Sequence, residues 1–148
     1  MCGYLCIISR SKNEYKISSQ LLNHRGPDST SVINYRNITL QHWRLSVIDL
    51  TDKSNQPIED DRNIFAYNGE VYDYKKIAKN YNLKVKSDTW LVKNILDRSN
   101  GMNELYQMEG FFSFVSISKV KNQVIGARDI FGKKPLYYYI DDDIAIFA

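Results

Sequence analysis

The fold turns on four runs near the end of the chain. They are Phe111-Phe112-Ser113-Phe114-Val115-Ser116-Ile117-Ser118, Gln123-Val124-Ile125-Gly126-Ala127-Arg128, Leu136-Tyr137-Tyr138-Tyr139-Ile140 and Ile144-Ala145-Ile146-Phe147. They are short, rich in β-branched and aromatic residues, and set apart by the polar turns Lys121-Asn122 and Asp141-Asp142-Asp143, so they predict strands. Working outward toward the N-terminus, the period changes. Tyr74, Ile77, Ala78 and Tyr81 fall at i, i+3, i+4 and i+7, and Leu91, Ile95 and Leu96 repeat helically in a segment opened by Ser87-Asp88. Met102 to Gln107 predicts a third, short helix. Earlier still the chain returns to strands: Asn63 to Asn68, ended by Gly69; Ile38 to Trp43 and Ser31 to Tyr35, joined at Arg36-Asn37; and a buried strand over Cys2 to Ser9. Ser18 or Ser19 is placed to cap a short helix through Leu21 and Leu22, stopped by Gly26-Pro27. Strands at both ends with helices grouped between them predict an α+β fold of antiparallel sheets covered by helices.

The chain has 148 residues, which predicts a single domain over 1–148 with a core that needs no disulfide or metal staple. Twenty Lys and Arg against 17 Asp and Glu give a net charge of +3, interspersed rather than striped, so no nucleic-acid partner is expected. No apolar run approaches the length of a membrane span, and the N-terminus lacks the basic and small-residue signature of a secretory signal, so no membrane partner is expected. The two cysteines, Cys2 and Cys6, lie four residues apart on a predicted strand, a separation too long for a disulfide. A reduced, cytoplasmic setting is the expectation. Two histidines and two cysteines in unrelated contexts give no zinc-ligand spacing, and no glycine-rich phosphate loop is present. Lys133-Lys134 reads as an exposed pair.

Several residues can carry chemistry. Cys2 follows the initiator Met, and removal of Met1 would leave a thiol and a free α-amine on one residue. An α-amine with a pKa near roughly 7.7–8.0 is partly neutral at pH 7 and can take the thiol proton. The competing reading is a small hydrophobe heading a core strand, and Cys6 is core. Asn68-Gly69-Glu70 offers a carboxamide and a backbone N–H to a developing oxyanion, or else a tight hairpin turn. Arg44, among apolar neighbours, suits bidentate capture of a carboxylate. Asp88 suits an ammonium group, but taken by itself it reads first as a helix N-terminal acid favoured by the macrodipole. Together Arg44 and Asp88 would match an α-amino acid zwitterion. His24-Arg25-Gly26-Pro27-Asp28 reads either as the lip of a cleft or as a helix stop and loop.

Six strings in order resemble the glutaminase domain of class II glutamine amidotransferases of the asparagine synthetase type. They are Met1-Cys2-Gly3; His24-Arg25-Gly26-Pro27-Asp28; Arg44-Leu45-Ser46-Val47-Ile48-Asp49-Leu50; Tyr67-Asn68-Gly69-Glu70-Val71-Tyr72; Ser87-Asp88-Thr89; and Ala127-Arg128-Asp129-Ile130-Phe131-Gly132-Lys133-Lys134-Pro135-Leu136-Tyr137-Tyr138. The resemblance implies an N-terminal-nucleophile fold, a four-layer αββα sandwich of two antiparallel sheets. It implies that Cys2 attacks the side-chain amide of L-glutamine with its own amine as base, and that Asn68 and Gly69 hold the oxyanion. Arg44 would bind the α-carboxylate, and Glu70 and Asp88 the α-ammonium, helped by backbone groups at Val47 and Ile48. Ammonia leaves, and water resolves the thioester to glutamate. No cofactor or metal is implied in this domain; ATP and magnesium belong to a synthetase domain, in cis or in trans, that makes asparagine. The chain departs from the resemblance at Trp90, where the family commonly has Glu, and in ending at Ala148 without that domain. Two other expectations stay beside the asparagine-linked one: a non-catalytic module regulating a synthetase, and an ammonia donor to a sugar or other carboxylate acceptor.

Overall fold

A computed structural model of the chain describes residues 1–11, 14–47, 49–98 and 101–148. Nine strands and three helices follow in the order β1 (Gly3–Ser9), β2 (Ser29–Tyr35), β3 (Ile38–Arg44), β4 (Ile58–Glu59), β5 (Asn63–Val71), α1 (Tyr74–Asn80), α2 (Asp88–Leu96), α3 (Gly101–Tyr106), β6 (Gly110–Ser118), β7 (Gln123–Arg128), β8 (Tyr138–Ile140) and β9 (Ile144–Phe147) among the described residues. The strands form two antiparallel sheets, ordered β2-β3-β1-β9-β8 and β4-β5-β6-β7. This is the layered α+β arrangement of two antiparallel sheets that the sequence predicts.

The period-2 alternation of the central strands explains the layering. Ile64 and Ala66 of β5 and Val115 and Ile117 of β6 pack between the sheets with Tyr4 and Cys6 of β1 and Leu40 of β3. The alternate residues Phe65, Tyr67, Phe112 and Phe114 face the other way, onto Leu91, Val92 and Ile95 of α2, Ala78 of α1 and Leu105 of α3. Both faces of β5 and β6 are therefore buried, which is why these strands read as nearly continuous hydrophobic runs. The rings of Phe65, Phe112 and Phe114 pack with centroids about 6 Å apart, within the range where aromatic contacts add to simple burial. Cys6 is fully buried, and burial pushes its thiol up to about 12, in keeping with a core role.

Three expectations are corrected. The helix expected after Ser18 or Ser19 is a run of turns instead, with backbone bonds from Leu21 N–H to Ser18 O, Asn23 N–H to Gln20 O and Arg25 N–H to Leu22 O. This segment lies across the free face of the first sheet: the Trp43 indole N–H donates to Ser19 O, and Leu22 packs on Gly3. Helices this short are marginal without a packed apolar stripe, and here sheet contacts take its place. The strand expected to end at Gly69 runs on to Val71, pairing Asn68 with Ser113, Gly69 with Phe112 and Glu70 with Phe111. Asn68-Gly69 is therefore not a hairpin turn. Lys134 is only 7% exposed rather than a surface lysine. Among the described residues no helix is long and apolar enough to cross a membrane.

Candidate active site

The antiparallel register sets the start of β1 beside the end of β3, Gly3 opposite Trp43, so that Cys2 and Arg44 meet at one end of the sandwich. The far half of β5 closes the other wall. A cavity of about 320 Å³ opens there, lined by Cys2, Arg44, Val47, Asn68, Gly69, Glu70 and Asp88 among others. That volume lies at the small end of ligand cavities, which run from roughly 300 to 1,000 Å³. Of the catalytic and substrate-binding residues that the resemblance implies, Cys2, Arg44, Val47, Asn68, Gly69, Glu70 and Asp88 line it, while Ile48 lies outside the described residues.

Cys2 shares a strand face with Tyr4 and Cys6, so its side chain points between the sheets. Its Sγ accepts the Leu45 N–H at 3.4 Å and lies 3.6 Å from Leu45 O. Its carbonyl accepts Arg25 Nε–H at 3.2 Å, and Asp28 accepts the Ser46 N–H at 2.8 Å. The His24–Asp28 segment thus braces the thiol and the Leu45-Ser46 backbone from behind rather than entering the cavity.

Arg44, 6% exposed, donates through Nη1 to Thr51 O at 2.9 Å and Asn55 Oδ1 at 2.6 Å, and through Nη2 to Asp49 O. Nε–H and one Nη2 proton have no acceptor among the described residues. The loop it grips is fastened again by Asp49, whose carboxylate accepts Ser54 Oγ–H and both the N–H and Oγ–H of Thr51. Those bonds, Ser54's first, hold Asp49 down at about 2. Sequence reading missed this loop's fastening. Its signal was present in Asp49-x-Thr51, a side chain two residues ahead of the N–H it accepts.

The backbone of β5 supplies the opposite wall. Tyr67 turns both polar backbone groups away from β6: its N–H donates to Gln56 Oε1 at 2.7 Å and its carbonyl meets His42 Nε2 at 3.2 Å. Antiparallel ladders alternate, so two residues on, the Gly69 N–H points to that same open edge. A Cβ at Gly69 would sit 2.4 Å from Phe111 O and 2.5 Å from Phe112 Cβ, so the position admits only glycine. The Asn68 carboxamide is buried and has no hydrogen-bond partner among the described residues. It therefore faces the cavity unpaired, as does the exposed Glu70.

Asp88, the first residue of α2, is 3% exposed. Its Oδ2 accepts the Tyr67 hydroxyl and the Val71 N–H, both at 3.1 Å, and its Oδ1 accepts the Thr89 N–H at 2.9 Å. Burial pushes its pKa up against the pull of those bonds, and burial together with Asp88 pushes the Tyr67 phenol up, keeping it a donor. The Trp90 indole is not part of the cavity wall; its carbonyl accepts the Asn94 amide at 2.7 Å.

The cavity thus holds a guanidinium with a free edge, the carboxylates of Glu70 and Asp88 beside that of Asp49, an unpaired carboxamide, an outward N–H and a thiol. A model of the glutamine amidotransferase domain matches residues 1–148. The chain belongs to the glutamine amidotransferase domain family. This domain is 30% identical over 174 residues to the putative glutamine-hydrolysing asparagine synthetase 2 of Methanocaldococcus jannaschii, across 100% of the chain and 34% of that protein. It is 31% identical over 163 residues to the glutamine-hydrolysing asparagine synthetase 1 of Bacillus subtilis, across 100% of the chain and 26% of that protein. It is also 37% identical over 134 residues to the amidase chyE of Penicillium rubens, across 86% of the chain and 20% of that protein. The amidotransferase domain spans a fifth to about a third of these relatives' lengths.

Among the described residues no cluster of His, Cys, Asp and Glu could hold a metal ion. Other parts of the wall escaped sequence reading: Gln56, which is carried in from the loop before β4, and Phe111 and Lys134.

Proposed function

We propose that this amidotransferase domain hydrolyses L-glutamine to glutamate and ammonia through Cys2. With Met1 removed, the Cys2 α-amine takes the thiol proton and the sulfur attacks the side-chain amide carbon. Asn68 and the Gly69 N–H receive the oxyanion. Collapse of the intermediate expels ammonia, which takes the proton held on the amine, and leaves a γ-glutamyl thioester. Water then adds to the thioester, the thiol leaves, and glutamate is released. The free edge of Arg44 takes the α-carboxylate, while Glu70 and Asp88 take the α-ammonium, with the backbone at Val47 completing the seat.

The observation that carries this reading is the convergence of Cys2, Arg44, Asn68, Gly69, Glu70 and Asp88 on one small cavity from four separate elements. A zwitterion needs opposite charges at one end and a reactive group an amino-acid side chain away. The chemistry needs no metal, since amine, carboxamide and backbone N–H supply base and electrophile.

The acceptor of the ammonia is proposed to be an asparagine-synthetase-like domain, in cis or in trans, where the ATP and magnesium chemistry would lie. The full-length relatives from M. jannaschii and B. subtilis, named as glutamine-hydrolysing asparagine synthetases, support that reading. A different acceptor is the second reading, favoured by the relative named as an amidase. The test is to incubate Met1-trimmed protein and its Cys2→Ala variant with glutamine and to assay glutamate and ammonia. Equimolar products from the first and none from the second are expected; equal turnover by both refutes the nucleophile.

A further inference from the structure

Among the described residues, Lys134 is a buried ammonium without an ion-pair partner. It is 7% exposed and lines the cavity with Cys2, yet among the described residues no carboxylate lies within ion-pair distance of it. Its Nζ donates to the Met1 thioether at 2.7 Å and stands 4.9 Å from the centre of the Phe111 ring. Neither neighbour carries charge. Buried cations are ordinarily paired, because an unpaired one loses its hydration with nothing in return. The lysine is nonetheless held firmly. Asp129, 6% exposed, accepts the backbone N–H groups of Lys133 at 3.0 Å, Lys134 at 3.1 Å and Phe112 at 3.2 Å, locking the loop onto β6. The turn passes through Gly132 at φ +62°, a conformation that suits glycine, and delivers Lys134 inward while Lys133 stays outside.

We infer that Lys134 is the charge partner of Cys2: its ammonium points into the space Met1 occupies, and after trimming it faces the new α-amine and thiol. There it does two things, both favouring the reactive form. It disfavours a second positive charge on the α-amine, keeping that amine neutral and its lone pair free to receive the thiol proton. When the S–H bond breaks and its proton passes to the amine nitrogen, Lys134 faces the negative charge left on sulfur. Lys134 touches neither the amide carbon nor the oxyanion, so its role is to position charge.

The other charged groups around the pair, among the described residues, are Arg25 behind Cys2, Lys133 and Asp129 on the same loop, Glu70 on β5, and Arg44, Asp49 and Asp88 farther along the cavity. Burial and Arg25 pull the Lys134 pKa down, while Cys2 and Glu70 pull it up. The lysine is therefore electrically in touch with the thiol and with Glu70, a carboxylate that could compete for it. This inference rests on the glutaminase reading only for its purpose; the pairing can be measured without glutamine.

The experiment follows iodoacetamide alkylation of Cys2 against pH in Met1-trimmed protein, read by peptide mass spectrometry, for wild type, Lys134→Met, Lys134→Gln and Lys134→Arg. An opposite charge favours the charged form of a group by roughly 1–3 pKa units at closest approach, and the low end suits two groups lining one cavity open to water. The midpoint is expected to rise by about one unit in Lys134→Met and Lys134→Gln, with about tenfold slower labelling at pH 7, and to stay near wild type in Lys134→Arg. Two neutral replacements of different shape are used so that misfolding of one, seen by circular dichroism, leaves the other to decide. An unmoved midpoint in the folded neutral variants, or an equal rise in Lys134→Arg, overturns the pairing. Glutamine turnover is assayed on the same samples. Wild-type turnover with an unmoved midpoint defeats this inference alone, whereas a moved midpoint without turnover defeats the glutaminase reading alone.

Discussion

Asn68 is 5% exposed, and its carboxamide has no partner among the described residues and faces the cavity. In the proposed reaction that unmet capacity is directed at the charge that develops on the amide oxygen. Removing one such donor costs about 10²–10³ in rate. Asn68→Ala is therefore expected to lower kcat for glutamine by that factor with KM little changed, measured by steady-state ammonia release. A rise in KM at constant kcat would instead assign Asn68 to substrate binding. Residue chemistry was the most legible level of this sequence, because Arg, Asp and Asn among apolar neighbours advertise a task. What residue identity could not tell was exposure. Lys133 and Lys134 are adjacent and identical, and only the turn through Gly132 separates surface from cavity.

At the scale of elements, β5 joins the site to the core. It carries Asn68 and Glu70 toward the first sheet and Tyr67 toward the helices, while the carbonyl of Tyr67 is held by His42 from β3. His42 is fully buried, directly opposite Tyr4, and its Nδ1 has no partner. Accepting the Nε2 proton requires only the carbonyl, so the neutral ring with hydrogen on Nε2 fits. Burial first, and Arg44 after it, draw the His42 pKa from 6.5 down to about 4, against the pull of the Tyr67 carbonyl. The unfolded chain takes up this proton more readily than the folded one, so the stabilisation is complete above pH 6.5 and is lost as pH falls toward 4. Denaturant unfolding is expected to show stability dropping between pH 7 and pH 5 by about 2 kcal/mol more in wild type than in His42→Asn. Parallel slopes in the two proteins would remove His42 from that account. Period and composition revealed nearly every strand and helix. They failed where a local signal was overruled by pairing: Asn68-Gly69 carries a turn signal, but the ladder to β6 continues through it. Ser18 to Gly26 carries helix signals, but it lies flat on the sheet over Gly3 and Trp43.

Across the whole molecule, the two sheets meet over a core of small and branched residues, and the cavity opens where that core ends. Only the sheet order sets Cys2 beside Arg44 and opposite Asn68, each more than forty positions from Cys2 along the chain. Sequence spacing could nominate each partner but could not show that they share one space. The resemblance supplied that grouping, and the register of β1 on β3 now gives its physical cause. The central claim is that a trimmed Cys2, seated in a cradle for a free amino acid, attacks a carboxamide. The most direct measurement treats Met1-trimmed protein with 6-diazo-5-oxo-norleucine, a glutamine-shaped electrophile, and maps the adduct by mass spectrometry. The account predicts one adduct on Cys2, blocked by excess glutamine, and none on the chain that retains Met1. A trimmed chain left unlabelled at Cys2, or labelled equally with Met1 in place, would contradict it.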